Sequence, residues 1–304
     1  MARTPRPTTT VPTALPMPAD TLRPEPPHRF WAGLTTADFA ALDRPRTIAV
    51  LPLGATEQHG PHLPLCVDTT LVDGVVAACL PHLPADLPAL FLPTQAVGLS
   101  PEHAAFAGTL TLRPETAIRL WTDIAEGVHA SGVNKLVLFN AHGGHVGLMD
   151  VVARELRARL GMLVYSVSWF NLPLLDDTGA DVNARFSAHE HRFGIHGGEV
   201  ETAMMRALAP GLVHMAEAQN FASTSHTRAQ RFEILGNGRS AKLAWQTQDY
   251  NPFGAVGNAA AATADNGHAL VQAAGRGLAR LLQEIDQLPA DTLRADTAYT
   301  PKAR

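Results

Sequence analysis

Four short apolar runs, TIAVLPL (47–53), ALFLP (89–93), KLVLF (135–139) and MLVYSVS (162–168), alternate with segments of helical character. This alternation narrows the choice of fold more than any other feature. Strands that recur between helices need crossover connections, which produce a mainly parallel sheet flanked by helices. The expected fold class is therefore α/β. In such sheets ligands bind beyond the carboxyl ends of the strands, so the residues that follow each run become candidates for function.

The helical segments carry their own signals. FWAGLTTADFAALD suggests a short helix capped near Thr35 or Thr36, and LVDGVVAACL (71–80) a helix with Thr69 or Thr70 as its N-cap. PETAIRLWTDIAEGVHASG (114–132) opens on proline, places Ile118, Trp121, Ala125 and Val128 on one face, and can end at Gly132. VGLMDVVARELRARLG and the C-terminal stretch up to LLQEIDQL also read as helices, whereas 171–195 and 216–257 read as long loops or subunit-contact segments.

Residues 1–28 contain eight prolines and no continuous apolar core, which predicts a disordered tail rather than a secretory signal. A single domain is expected over 29–290, followed by a flexible tail over 291–304. A formal charge of −4 leaves no electrostatic footprint for nucleic acid or an anionic membrane. Cys66 and Cys79 cannot build a disulfide framework, and a reducing cytoplasm is the expected compartment.

Half of the fourteen histidines sit in three short windows, beside acidic residues or glycines. GATEQHGPHLPLCVD offers Glu57, His59, His62 and Asp68 directly after the first strand. Glu57 and His59, two apart, can face one centre if the chain is extended there. Mixed Glu, His and Asp ligation suits zinc, manganese or iron(II). The plainer alternative is Asp68 as a helix cap and the others as a polar turn. NAHGGH, with Asn140, His142 and His145, follows the third strand; its glycines allow close backbone approach to a ligand. In HGGEVETAMM, Glu199 and Glu201 occupy a first helical turn, where carboxylates favour the helix dipole. His196 lies just outside that turn and is the candidate for proton transfer. No GxSxG elbow, HExxH or phosphate loop is present.

Taken together, LPLGATEQHGPHLPLCVDT, LSPEHAAFAGTLTL, LVLFNAHGGH and HGGEVET resemble the creatininase (creatinine amidohydrolase) family, from about Trp31 to Leu282. The resemblance implies an α/β fold, two divalent metal ions (zinc first, manganese or iron as alternatives), hydrolysis of a C–N bond and often a homohexamer. By position, Glu57, His59, Asp68 and His142 match the family's metal ligands, with Asp68 as the bridge, and His196 matches its proton-transfer histidine. Creatininase proper has Tyr-Glu after the ligand histidine, where this chain has Gly143 and Gly144. The second metal then lacks a carboxylate, and Glu199 is expected to supply it. The Gly-Gly pattern resembles a branch that includes formamide hydrolases of flavin-cofactor biosynthesis and a peptidase of mycofactocin maturation, although that branch usually has Asn at the place of His145. Glu102, His103, Gly143, Gly144, His145 and Trp169 are expected to border a small-molecule amide, cyclic or linear. The competing readings are a specialised maturation peptidase and a metal-binding homologue without turnover. His62 is expected to support the loop.

Overall fold

The computed structural model describes residues 28–298. The Pro-rich tail, apart from His28, and residues 299–304 lie outside the described residues. Four strands form the main sheet: β1 (Ile48–Leu53), β2 (Ala89–Phe91), β3 (Lys135–Asn140) and β4 (Leu163–Ser168). All pair in parallel in the order β2-β1-β3-β4, with Ile48 opposite both Ala89 and Lys135, and Lys135 opposite Leu163. The expected α/β class and parallel sheet are both present.

The helices are α1 (Thr36–Ala41), α2 (Val67–Cys79), α3 (Pro114–Ala130), α4 (Val146–Leu160), α5 (Ala188–Phe193), α6 (Glu199–Leu208), α7 (Thr224–Arg231), α8 (Thr247–Tyr250) and α9 (Ala264–Asp286). Side chains alternate across the sheet. Ile48, Val50, Val137 and Phe139 face a core shared with α2, α6 and α9. Ala49, Leu51, Leu53, Leu136 and Leu138 face Trp121 and Ala125 of α3 and Val152 and Leu156 of α4. A helical layer on each side explains why the strands are apolar on both faces. Each fully buried large apolar side chain here contributes roughly 1.5–3 kcal/mol.

The topology locates the crevice. From β1 the chain crosses through α2 to β2 on one side, then through α3 to β3 on the other side of β1. Loops leaving β1 and β3 therefore diverge, and their carboxyl ends form a topological switch point. The segments 54–66 and 141–145 leave the sheet there.

Two expectations change. Helix α2 starts at Val67, four residues before the expected start, with Cys66 rather than a threonine at its N-cap. Thr69 instead donates through its hydroxyl to the Ala55 carbonyl at 3.2 Å, tying the helix to the β1 loop. Asp68 thereby lies within the first turn, as a residue aimed at the crevice and not as a cap. The stretches read as loops contain α5, α7, α8 and a small antiparallel pair, β5 (Asn220–Phe221) with β6 (Gly257–Asn258). Their polar composition hid these short elements, of which α5 supplies Glu190 and His191 to the wall of the site. No helix among the described residues is long and apolar enough to cross a membrane.

Candidate metal centre

Glu57, His59, Asp68 and His142 converge at the switch point, all buried. The β1 loop is closed by the Glu57 N–H donating to the Leu65 carbonyl at 3.0 Å, and Gly60 turns it with φ +77°. His59 Nε2 lies 3.6 Å from Asp68 Oδ1 and 3.8 Å from Glu57 Oε1. His142 Nδ1 lies 3.2 Å from Glu57 Oε1 and 3.4 Å from Asp68 Oδ2. The two oxygens of Asp68 thus face two different histidines, the arrangement that a bridging carboxylate requires.

The tautomers are set from behind. His59 Nδ1 donates to the Glu57 carbonyl at 3.1 Å, which points Nε2 at the centre. His142 Nε2 donates to the Leu99 carbonyl at 2.9 Å, which leaves Nδ1 bare. Fixing the distal N–H in this way is how metal-ligating histidines are oriented. The inward atoms have no hydrogen-bond partner: Glu57 Oε1 and Oε2, His59 Nε2 and Asp68 Oδ2 are all orphaned. Burying a polar atom unpaired costs about 2 kcal/mol or more, and a charged one far more. Donors about 2.1 Å from one tetrahedral ion stand about 3.4 Å apart, close to the spacings seen. The residues present therefore fit divalent cations.

Glu201, not Glu199, completes the cluster. Its Oε2 lies 3.8 Å from His59 Nε2, and His59, Asp68 and Glu201 together could hold an ion. Glu199 is half-buried and faces Glu190 and His191, outside every such group. The expectation for Glu199 is corrected by helix geometry. Two residues along α6 turn the side chain from the rim to the centre, and the Gly197 N–H donates to Glu201 Oε2 at 2.6 Å. A third-position carboxylate reaching back to the helix start is a capping signal that could have singled out Glu201.

Glu102 and His103 line the cavity and also reach the centre. Glu102 groups with Glu57 and His142, its Oε1 3.3 Å from His142 Nε2. His103 Nε2 is 3.3 Å from Glu57 Oε1. Gly144 makes this possible: a Cβ there would lie 2.3 Å from Glu102 Oε1 and 2.4 Å from His142 Nε2. Gln58, whose amide nitrogen is 2.7 Å from His103 Nδ1 and 2.9 Å from the Gly254 carbonyl, was not foreseen. Neither was Thr247, which touches His103 Nδ1 at 2.8 Å.

His145 does not border the cavity and is corrected to a supporting position. Its Nδ1 donates to Asn140 Oδ1 at 3.0 Å, and its Nε2 accepts the Leu99 N–H at 3.1 Å. Asn140 Oδ1 also accepts the His142 N–H at 3.0 Å, so Asn140, His145, Leu99 and His142 form a closed circuit. Gly98 leaves room for that ring, since a Cβ there would meet His145 Nε2 at 2.0 Å. His62 is the loop support that was expected: its Nε2 meets Thr202 Oγ1 at 2.9 Å and its ring stacks on Phe221.

His196 lies against the centre. Its Nε2 donates to the Gln58 carbonyl at 2.7 Å, and its Nδ1 is 3.8 Å from Glu57 Oε1. Burial, with His59 and His103 beside it, drives its pKa well below the usual histidine value, so the ring is neutral. For His59, burial is outweighed by Asp68, Glu201 and Glu57, and its pKa rises to about 9. A cavity of about 470 Å³ opens over the cluster. Gly143, Gly144 and Trp169 line it, with Ile195, Val200 and Trp245 supplying apolar wall.

An α/β sheet carrying a buried carboxylate–imidazole cluster at its switch point defines a class of metal-site proteins. Within it, this chain belongs to the creatininase family, whose model, described as creatinine amidohydrolase, matches residues 32–282. It is 41% identical over 115 residues to the mycofactocin precursor peptide peptidase of Mycobacterium tuberculosis, a match covering 36% of this chain and 45% of the peptidase. The chain thus spans about half the length of the curated relatives that head the comparison. It is 29% identical over 178 residues to the creatinine amidohydrolase of Pseudomonas putida, covering 55% of this chain and 66% of that protein. A solved creatininase structure superposes with a TM-score of 0.66 at 24% identity, over 86% of this chain and all (100%) of the other. That likeness concerns the fold.

Proposed function

We propose that this chain is a metal-dependent hydrolase that cleaves an amide C–N bond by means of an activated water. The observation that carries this reading is the set of buried, orphaned donors, Glu57, His59 and Asp68, shared out between two histidines. His59, Asp68 and Glu201 would hold one ion, and Glu57, Asp68 and His142 the other, with Glu102 in reach of the second. Zinc suits this donor set, and manganese or iron(II) does so too; Zn–Zn and Mn forms of creatininase share the fold. Bound divalent metal supplies a nucleophile at neutral pH and stabilises developing negative charge on a carbonyl oxygen.

The chain's own residues supply the rest. His196 Nε2–H is held by the Gln58 carbonyl, so its free Nδ1 accepts a proton and returns it to the departing nitrogen. Neutrality at pH 7 suits the first of these tasks. Glu190, buried, accepts from the Glu199 N–H at 2.6 Å and the Asn258 N–H at 2.9 Å, and so fixes the loop that bears His196. The apolar wall of the cavity excludes water from the reacting bond.

Peptide cleavage in maturation is the second reading, favoured by the extent of identity to the mycofactocin precursor peptidases. The test is metal content and turnover together. Wild-type protein should bind divalent metal and hydrolyse at least one member of a panel of cyclic amides, formamides and short peptides. Glu57→Gln and His142→Ala should lose metal and activity. Full metal occupancy in both variants would overturn the site; full occupancy without turnover in wild type would make this a binding protein. A soluble homo-oligomer in the cytoplasm is part of the proposal, checked by light scattering and fractionation.

A further inference from the structure

A second cavity of about 320 Å³ adjoins the first, and the two share Ile195 and Trp245 as walls. Its cationic lining is Arg192, Arg228 and Lys242, and no acidic side chain lines it. None of the three cations has an ion-pair partner among the described residues, in a chain whose net charge is −4. Both guanidinium groups are held in place. Arg228 is half-buried, 5.2 Å over the Tyr250 ring. Arg192 lies 4.9 Å over the Phe193 ring and donates to the Gly236 carbonyl at 3.0 Å. Beyond the donors spent on the Gly236 carbonyl and on the Tyr250 side chain, the guanidinium edges present further N–H groups. The neighbouring cavity has the opposite character, with Glu57, Glu102, Glu190 and Glu201 on its walls.

We propose that this basic cavity is a subsite for an anionic oxygen group of the substrate, a carboxylate or a phosphate, remote from the amide that is cleaved. The assignment rests on the amide-hydrolase reading above and refines its substrate class. Three unpaired cations in a concavity form charge-assisted hydrogen bonds with an oxyanion. Bound divalent metal would offset the carboxylates of the inner cavity, whereas the outer cavity keeps uncompensated positive charge, which orients a substrate acid outward and amide inward.

Direct binding tests the subsite without any turnover. Inorganic phosphate and acetate are titrated into the zinc-loaded full chain, followed by tryptophan fluorescence, with Trp245→Phe identifying the reporting residue. Saturable binding that weakens about tenfold in Arg228→Gln and in Lys242→Gln is the expected result. Lys242 is exposed, so its variant keeps the test valid if Arg228→Gln fails to fold. Absence of binding, or binding unchanged in both variants because the anion sits on the metal, overturns the proposal. Whichever anion binds tighter identifies the substrate's group. A second arm compares short peptides with a free terminal carboxylate against their carboxamides. The free acids should show the lower KM in wild type, and Lys242→Gln should shrink that difference. If anions bind as expected and no amide is turned over, the hydrolase reading fails and the subsite stands.

Discussion

Replacing Glu201 with glutamine separates its cost in the metal-free protein from its value in the loaded one. Burial, with Asp68 and Glu57 beside it, outweighs His59 and raises the Glu201 carboxyl from 4.5 to about 7. Its side chain is 18% exposed, so solvent screening is modest. A carboxyl with a raised pKa in the folded state imposes no penalty below about pH 4.5 and its full penalty above about pH 7. By linkage that penalty is about 3 kcal/mol. Metal-free Glu201→Gln at pH 8 should therefore be more stable than wild type, melting on the order of 5 °C higher. At pH 4 the two should coincide. With metal the gap narrows, because the glutamine lacks the charge that binds the cation. Affinity should drop by at least about 100-fold, since even partners one shell further out contribute 10–100-fold. Zinc at 100 times its dissociation constant stabilises wild type by about 2.7 kcal/mol, and that increment should vanish in the variant. Calorimetric melts with and without zinc, with Glu199→Gln as the comparison, provide the assay. An unchanged metal-free melt at pH 8, or metal loss in Glu199→Gln but not in Glu201→Gln, would refute the reasoning.

Three further outcomes follow from particular contacts. His145→Ala opens the circuit that fixes His142, and chelator competition should show roughly 10–100-fold weaker metal binding with the fold retained by circular dichroism. Gly144→Ala puts a methyl group 2.3 Å from Glu102 Oε1, so it should displace that carboxylate and lower metal occupancy, measured by elemental analysis. Because His59 holds a proton up to about pH 9, zinc uptake at pH 8 should release protons and tighten as pH rises toward 9. Calorimetric enthalpies in buffers of different ionisation heat measure that release.

The sequence alone determined the sheet, because apolar runs between helical segments allow few other packings. It also singled out Glu57, His59, Asp68 and His142 as candidates, because they follow strand ends, while their grouping as ligands came from the resemblance to the creatininase family. Tertiary structure decided which of two glutamates, two residues apart, faces the centre. Both glutamates lie in the first turn, and although the third-position capping signal favours Glu201, it is the docking of α6 on α2 and α9 that turns its side chain to the centre. Likewise His145 reads as a cavity residue until the Leu99 loop, remote in sequence, closes on it. The basic cavity had no signal at all, because Arg192, Arg228 and Lys242 are far apart in the chain and ordinary one by one. Long-range packing alone brings their charges together, in a cavity that adjoins the metal centre.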